Sequence, residues 1–127
     1  MARSLDFTSG DTIGIGSGDG AKIDDVVYGT AQAWCVYDQD TPTIVDSYNV
    51  SSVSDDGVGS YTVTLSITMA DANYALVGMC YSENQGDISQ DLTKSTTQYD
   101  IETGTFGTGI TNTNVDITSA TVIFGSR

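Results

Sequence analysis

A chain of 127 residues that carries 17 acidic side chains against four basic ones (Arg3, Lys22, Lys94, Arg127) is one domain of formal charge −13. Such a surface repels phosphate backbones and anionic bilayers, which excludes nucleic-acid binding and membrane insertion as functions. The sequence has no histidine, so the commonest general base, the Ser–His and Cys–His nucleophile pairs and most zinc and iron sites are absent.

With 39% apolar residues, many of them β-branched, and one proline, the chain is built to bury a core rather than to stay unfolded. The first residues, Met1-Ala2-Arg3-Ser4-Leu5-Asp6, lack the apolar run of a signal peptide. The product is therefore expected to be made and held in a cytoplasm. In that reducing setting Cys35 and Cys80 are expected as unbridged thiols inside apolar strands.

In chain order, Ser9 to Gly20 is too glycine-rich for a core strand and is expected to be an arm. This assigns residues 1–24 to an N-terminal arm or attachment segment and 25–127 to a single β domain. Residues 32–37 and 43–48 form a strand pair around Asp38-Gln39-Asp40-Thr41-Pro42. Val50-Ser51-Ser52-Val53-Ser54 runs into Asp55-Asp56-Gly57-Val58-Gly59, a hairpin turn signal. Tyr61 to Thr68 alternates strictly: Tyr61, Val63, Leu65 and Ile67 share the buried face, with Thr62, Thr64, Ser66 and Thr68 on the wet one.

Asn73 to Tyr81 is apolar on both faces, which predicts a central strand. Ser82 to Thr97 is polar and predicts a long loop. Ala120 to Phe124 is a closing strand preceded by Asn114 to Thr118. No stretch has helical periodicity. The class expected is all-β, an antiparallel β-sandwich or jelly-roll-like domain.

Few residues suggest chemistry. Gly14-Ile15-Gly16-Ser17-Gly18-Asp19-Gly20 fails as a dinucleotide loop, because Asp19 stands where the third glycine belongs and no helix follows. The aspartate pairs Asp24/Asp25, Asp38/Asp40 and Asp55/Asp56 offer two carboxylates to a glycosidase, yet each lies in a turn where aspartate bonds its own backbone. Loop carboxylates also suit calcium, but no spaced calcium-loop motif is present. Trp34, Tyr37, Tyr48, Tyr61, Tyr74 and Tyr81 would make a platform for sugar rings; their places within strands favour core packing. No catalytic, cofactor-binding or metal-binding residue is assigned, and no cofactor is expected.

Four ordered blocks remain: Ala33-Trp34-Cys35-Val36-Tyr37; Asp46-Ser47-Tyr48-Asn49-Val50-Ser51-Ser52-Val53; Asp55-Asp56-Gly57-Val58-Gly59-Ser60-Tyr61-Thr62-Val63; and Asp71-Ala72-Asn73-Tyr74-Ala75-Leu76-Val77-Gly78. Over residues 33–78 the chain resembles a β domain recurring in tail fibres and other virion proteins of tailed phages. Cys35-Val36 stands where that domain commonly has Val-Asn, and Asp55-Asp56 where it has Asp-Asn.

The resemblance implies a non-enzymatic structural protein of the virion, made in the bacterial host cytoplasm and assembled as a homotrimer alongside other capsid or tail proteins. Two places on the particle follow from it. One is a surface-projecting capsid decoration, spike or head fibre, favoured by the absence of a shaft before the matched blocks. The other is a short tail fibre or tail tip that binds a host-surface glycan. A free-standing carbohydrate-binding module and a small polysaccharide-degrading enzyme are the rivals from other classes.

Overall fold

The computed structural model describes residues 12–13, 21–22, 29–81, 86–106 and 112–127. Its elements there are strands: β1 (Thr12–Ile13), β2 (Ala21–Lys22), β3 (Ala31–Asp38), β4 (Thr43–Tyr48), β5 (Val50–Gly57), β6 (Ser60–Leu65), β7 (Ala75–Cys80), β8 (Gly86–Lys94), β9 (Gln98–Phe106), β10 (Asn112–Asn114) and β11 (Ser119–Phe124). β1 and β2 form a separate two-stranded pair. The others make two antiparallel sheets. Sheet I has the order β4-β3-β11-β7. Sheet II has β9 between β8 and β6, with β5 beyond β6; β10 continues along β9 past the end of β6.

The sheets pack face to face because each central strand alternates. From sheet I, Ala33, Cys35 and Tyr37 of β3 and Ser119, Thr121 and Ile123 of β11 point inward and are buried. From sheet II come Tyr61, Val63 and Leu65 of β6 and Tyr99, Ile101 and Thr103 of β9. Met69 and Tyr74, from the β6–β7 connection, complete the core. The expected fold class holds: an all-β antiparallel sandwich.

Polar groups inside the core are paired. The Tyr61 hydroxyl lies 2.6 Å from Ser119 Oγ, and the Tyr99 hydroxyl 2.7 Å from Thr121 Oγ1. Both bonds run from sheet II to sheet I. The rings of Tyr37 and Tyr61 meet at 4.9 Å, tilted by 44°. At one end of the sandwich the buried Gln39 amide is satisfied with its nitrogen donating to the Ile117 carbonyl (3.1 Å) and Thr103 Oγ1 (2.6 Å), while its oxygen accepts from Ser60 N (3.2 Å). Thr103 passes its own hydroxyl hydrogen to the Val115 carbonyl at 2.8 Å. Among the described residues no buried side-chain nitrogen or oxygen lacks a partner.

The hairpins expected around residues 38–42 and 55–59 are present as β3–β4 and β5–β6, with β5 running on through Asp55 and Asp56 to Gly57. The second turn depends on two glycines at positive φ, Gly57 (125°) and Gly59 (66°). Gly59 is doubly constrained, since an added Cβ would come within 2.4 Å of the Thr103 carbonyl oxygen and 2.7 Å of Val115 N. Between β4 and β5 the chain leaves sheet I for sheet II at Asn49, whose φ of 55° is the left-handed region asparagine tolerates. Its Nδ2 donates to the Gln32 carbonyl at 2.6 Å, tying the crossover to β3.

Three expectations are corrected. The strand expected over 61–68 stops at Leu65; Leu65 N and Ser66 N still donate in register to the Thr97 and Asn49 carbonyls, and the chain has left that register by Met69, whose N donates to the Thr96 carbonyl. Ile67 still packs on the core. The strand expected over 73–81 begins at Ala75 and lies at the edge of sheet I, not at its centre. Asp71 accepts from Asn73 N at 2.7 Å in an Asx turn that swings Tyr74 inward, where its hydroxyl donates to the Gln98 carbonyl at 3.1 Å.

The loop expected over 82–97 contains β8, which is held by backbone pairing to β9 and anchored by Ile88 against the core. The strand β9 itself, central to sheet II, went unpredicted; the alternation of Tyr99, Ile101 and Thr103 is its signal. The glycine-rich segment from Ser9 to Gly20 lies outside the described residues except at Thr12–Ile13, and the 1–24/25–127 division falls in the same region.

Leu65 sits in this core, so Leu65→Ala is expected to lower the unfolding free energy by about 2–5 kcal/mol in a denaturant titration. A second expectation concerns alkali. Burial pushes the Tyr74 phenol up to about 12, and raises those of Tyr61 and Tyr99 further. The unfolded chain ionises its phenols near pH ~10, so each neutral buried phenol stabilises the fold fully below that pH. That stability is lost as pH rises above it. Following phenolate absorbance and circular dichroism together should show these three phenols ionising only as the fold melts.

Candidate functional site

The two outer faces of the sandwich differ sharply in chemistry. On sheet II the outward residues are hydroxyls, amide and acid: Ser54, Thr62 and Asp100 lie side by side across β5, β6 and β9, as do Ser52, Thr64 and Gln98. Glu102 stands opposite Ser60. The Thr62 hydroxyl sits between two carboxylates, 2.5 Å from Asp56 and 3.0 Å from Asp100. This is the wet face expected of an antiparallel sheet.

Sheet I breaks that rule. Across its four strands Tyr48, Trp34, Val122 and Val77 fall in one row. Asp46, Val36, Ala120 and Met79 form the next, and Phe124 stands beside Ala75. Asp46 is the one charged side chain in these rows. Tyr48 is 50% exposed, Val77 57% and Met79 68%. Val45, the extra residue at the bulge in β4, adds a further 61%-exposed apolar side chain nearby.

The residues weighed for chemistry separate accordingly. Of the six aromatics, Tyr37, Tyr61 and Tyr74 are core, as strand packing implies. Trp34 and Tyr48 are not; they are cross-strand neighbours on the outer face of sheet I, and Tyr81 is exposed just past β7. The aspartates build turns. Asp38 accepts from Asp40 N (3.1 Å), Thr41 Oγ1 (2.7 Å) and Thr118 Oγ1 (3.3 Å), and the Thr41 hydroxyl is the main reason its carboxyl is held below the usual range. Asp55 accepts from Gly57 N at 3.0 Å, while Asp56 accepts from the Ser54 hydroxyl at 3.1 Å. Asp24 and Asp25, like Gly14 to Gly20, lie outside the described residues. Among the described residues no group of three or more His, Cys, Asp or Glu is placed to hold a metal ion.

Cys35 and Cys80 are both unbridged. The register explains why. Cys35 pairs with Thr121 on one side of β11 and Cys80 with Ser119 on the other. Two strand spacings and a two-residue offset put their Cα atoms about 12 Å apart, where a disulfide needs less than roughly 7 Å. Burial pushes the Cys35 thiol up to about 11.

The four ordered sequence blocks are used structurally. Ala33 to Tyr37 is the body of β3, Asp46 to Val53 is the sheet-to-sheet crossover, Asp55 to Val63 is the glycine hairpin with the start of β6, and Asp71 to Gly78 is the Asx turn with β7. What these features define is a two-sheet β-sandwich with one apolar and one acidic face. In comparison with known proteins, no family model, curated protein or solved structure matches the chain.

Iodoacetamide on the native protein should modify Cys80, which is partly exposed, well before the buried Cys35, as peptide mapping over time would show. Mild oxidation is expected to leave both cysteines out of any bridge within one chain.

Proposed function

We propose that the chain is a non-enzymatic structural protein of a tailed-phage virion, a surface-projecting capsid decoration, spike or short fibre protein that assembles as a homotrimer. The observation that supports this best is the use to which the shared blocks are put. Their glycines, aspartates and tyrosines make turns, the crossover and the core, and the four carboxylates they contribute at Asp46, Asp55, Asp56 and Asp71 form no metal-holding group among the described residues. A pattern spent on architecture belongs to a scaffold that is copied for its shape. The high negative charge keeps many such copies soluble until they meet their place on the particle.

Immunogold labelling with antibody to the recombinant protein, on particles released by a host carrying the gene, is the direct test. Gold at the head surface or tail is expected, together with a neighbouring reading frame that encodes a capsid or baseplate component. Unlabelled particles would overturn the reading, as would release of reducing ends from bacterial polysaccharide by the pure protein.

One observation favours the tail-tip alternative: half-buried Trp34 and exposed Tyr48 are cross-strand neighbours on the outer face of sheet I, and aromatic rings so placed can stack on sugars. Glycan-array binding that disappears in Trp34→Ala would select it.

A further inference from the structure

Building on the trimeric reading above, we propose that the outer face of sheet I is the surface through which one copy of this chain meets the next.

Its extent is the first reason. Four strands at their ordinary spacing and about six residues of length give a face of roughly 15 by 20 Å, on the order of 300 Å² in projection. Its side chains lie in register, from Tyr48 and Trp34 through Val122 to Val77, and from Val36 through Ala120 to Met79. That is the size and make-up of the apolar centre of an ordinary interface, whose polar rim extends further. A monomer seldom leaves such a patch in water.

Charge decides what covers it. A basic partner approaching a chain of charge −13 is steered to the acids, and on the sandwich faces these are Asp56, Asp100 and Glu102 of sheet II. A partner that brings the same negative charge has the opposite need. It must meet the chain where carboxylates are scarce, and the two apolar rows of sheet I contain only Asp46, with Asp38 one row beyond them and taken up by the β3–β4 turn. A second copy fits that requirement. It presents an identical apolar face, and three such faces can close around a threefold axis, each meeting both of its neighbours.

The edge strand points the same way. Exposed edges are commonly blunted by lysine, proline or a bulge, yet β7 reads Ala-Leu-Val-Gly-Met-Cys, with a regular register to β11 and no charge. Its outward Val77 and Met79 are the most exposed residues of the rows, as expected at the side where the neighbour begins.

Sedimentation velocity across salt and protein concentration tests this, on the wild type, Val77→Asp, Met79→Asp and the control Thr64→Asp on the outer face of sheet II. The wild type is expected to associate, more tightly as salt screens the acids. Each sheet I variant should weaken association about tenfold or more, the scale of burying an unpaired charge, with the control unchanged. Peroxide oxidation of wild-type Met79 gives a readout that needs no variant: protected in the oligomer, fast on dilution. An oligomer that survives both variants and leaves Met79 reactive would overturn this face while keeping the trimer. A wild type that stays monomeric at high salt would overturn the contact and the trimer together, and leave the face to residues 1–28 of the same chain.

Discussion

Two phenols cross the interior of the sandwich from sheet II to sheet I and end on hydroxyls of β11, Tyr61 on Ser119 and Tyr99 on Thr121. A buried phenol needs a partner for its hydroxyl, and leaving one unsatisfied costs about 1–3 kcal/mol. Purely apolar sheets can slide over one another at little cost. These cannot. Ser119 and Thr121 are two residues apart and so share a face; a slip of one residue would present Ala120 and Val122 to the phenols instead. The polar pairs therefore set the alignment of the sheets, and the apolar side chains around them supply the bulk of the burial. The cluster of Gln39, Thr103, Val115 and Ile117 repeats the device at one end of the sandwich.

The same register decides the outside. Once Ser119, Thr121 and Ile123 face inward, Ala120, Val122 and Phe124 must face out, flanked by Trp34 and Val36 of β3 and by Val77 and Met79 of β7. The apolar outer face follows from satisfying the core when both residue sets of β11 are largely uncharged. Sheet II has no such conflict. On β6 and β9 the outward set is Ser60, Thr62, Thr64, Gln98, Asp100 and Glu102, and its polarity is the usual solution for a face in water. The protein thus has one side suited to solvent and one suited to contact.

How much of this is legible in the sequence depends on whether the signal is local. β6 is, because Tyr61, Val63 and Leu65 alternate with hydroxyls over a short run, and so is the hairpin, because Gly57 and Gly59 answer to backbone angles. β8 is not. Its only apolar anchor among the described side chains is Ile88, and its strand character comes from pairing with β9, a partner no local pattern reveals. β7 misleads in an instructive way: residues apolar on both faces signal double burial and so the centre of a sheet, whereas β7 is an edge. The outer face of sheet I is invisible for a related reason. Trp34, Val77 and Val122 come from three distant stretches, and only the strand order sets them in one row.

The position of β11 also bears on how the chain acquires its fold on the ribosome. β11 emerges after the other described strands, yet it lies between β3 and β7 and carries the hydroxyls that receive Tyr61 and Tyr99. Until it arrives, β3 and β7 have no common neighbour and the two phenols have no acceptor. The nascent chain must therefore hold β7 and one edge of β3 unpaired until β11 has been made, the situation that exposes long-range β topologies to misassembly. Mutual repulsion among aspartates is a means of keeping neighbouring nascent chains apart during that wait. The charge of −13 that marks the finished surface is thus present on each copy throughout that interval as well.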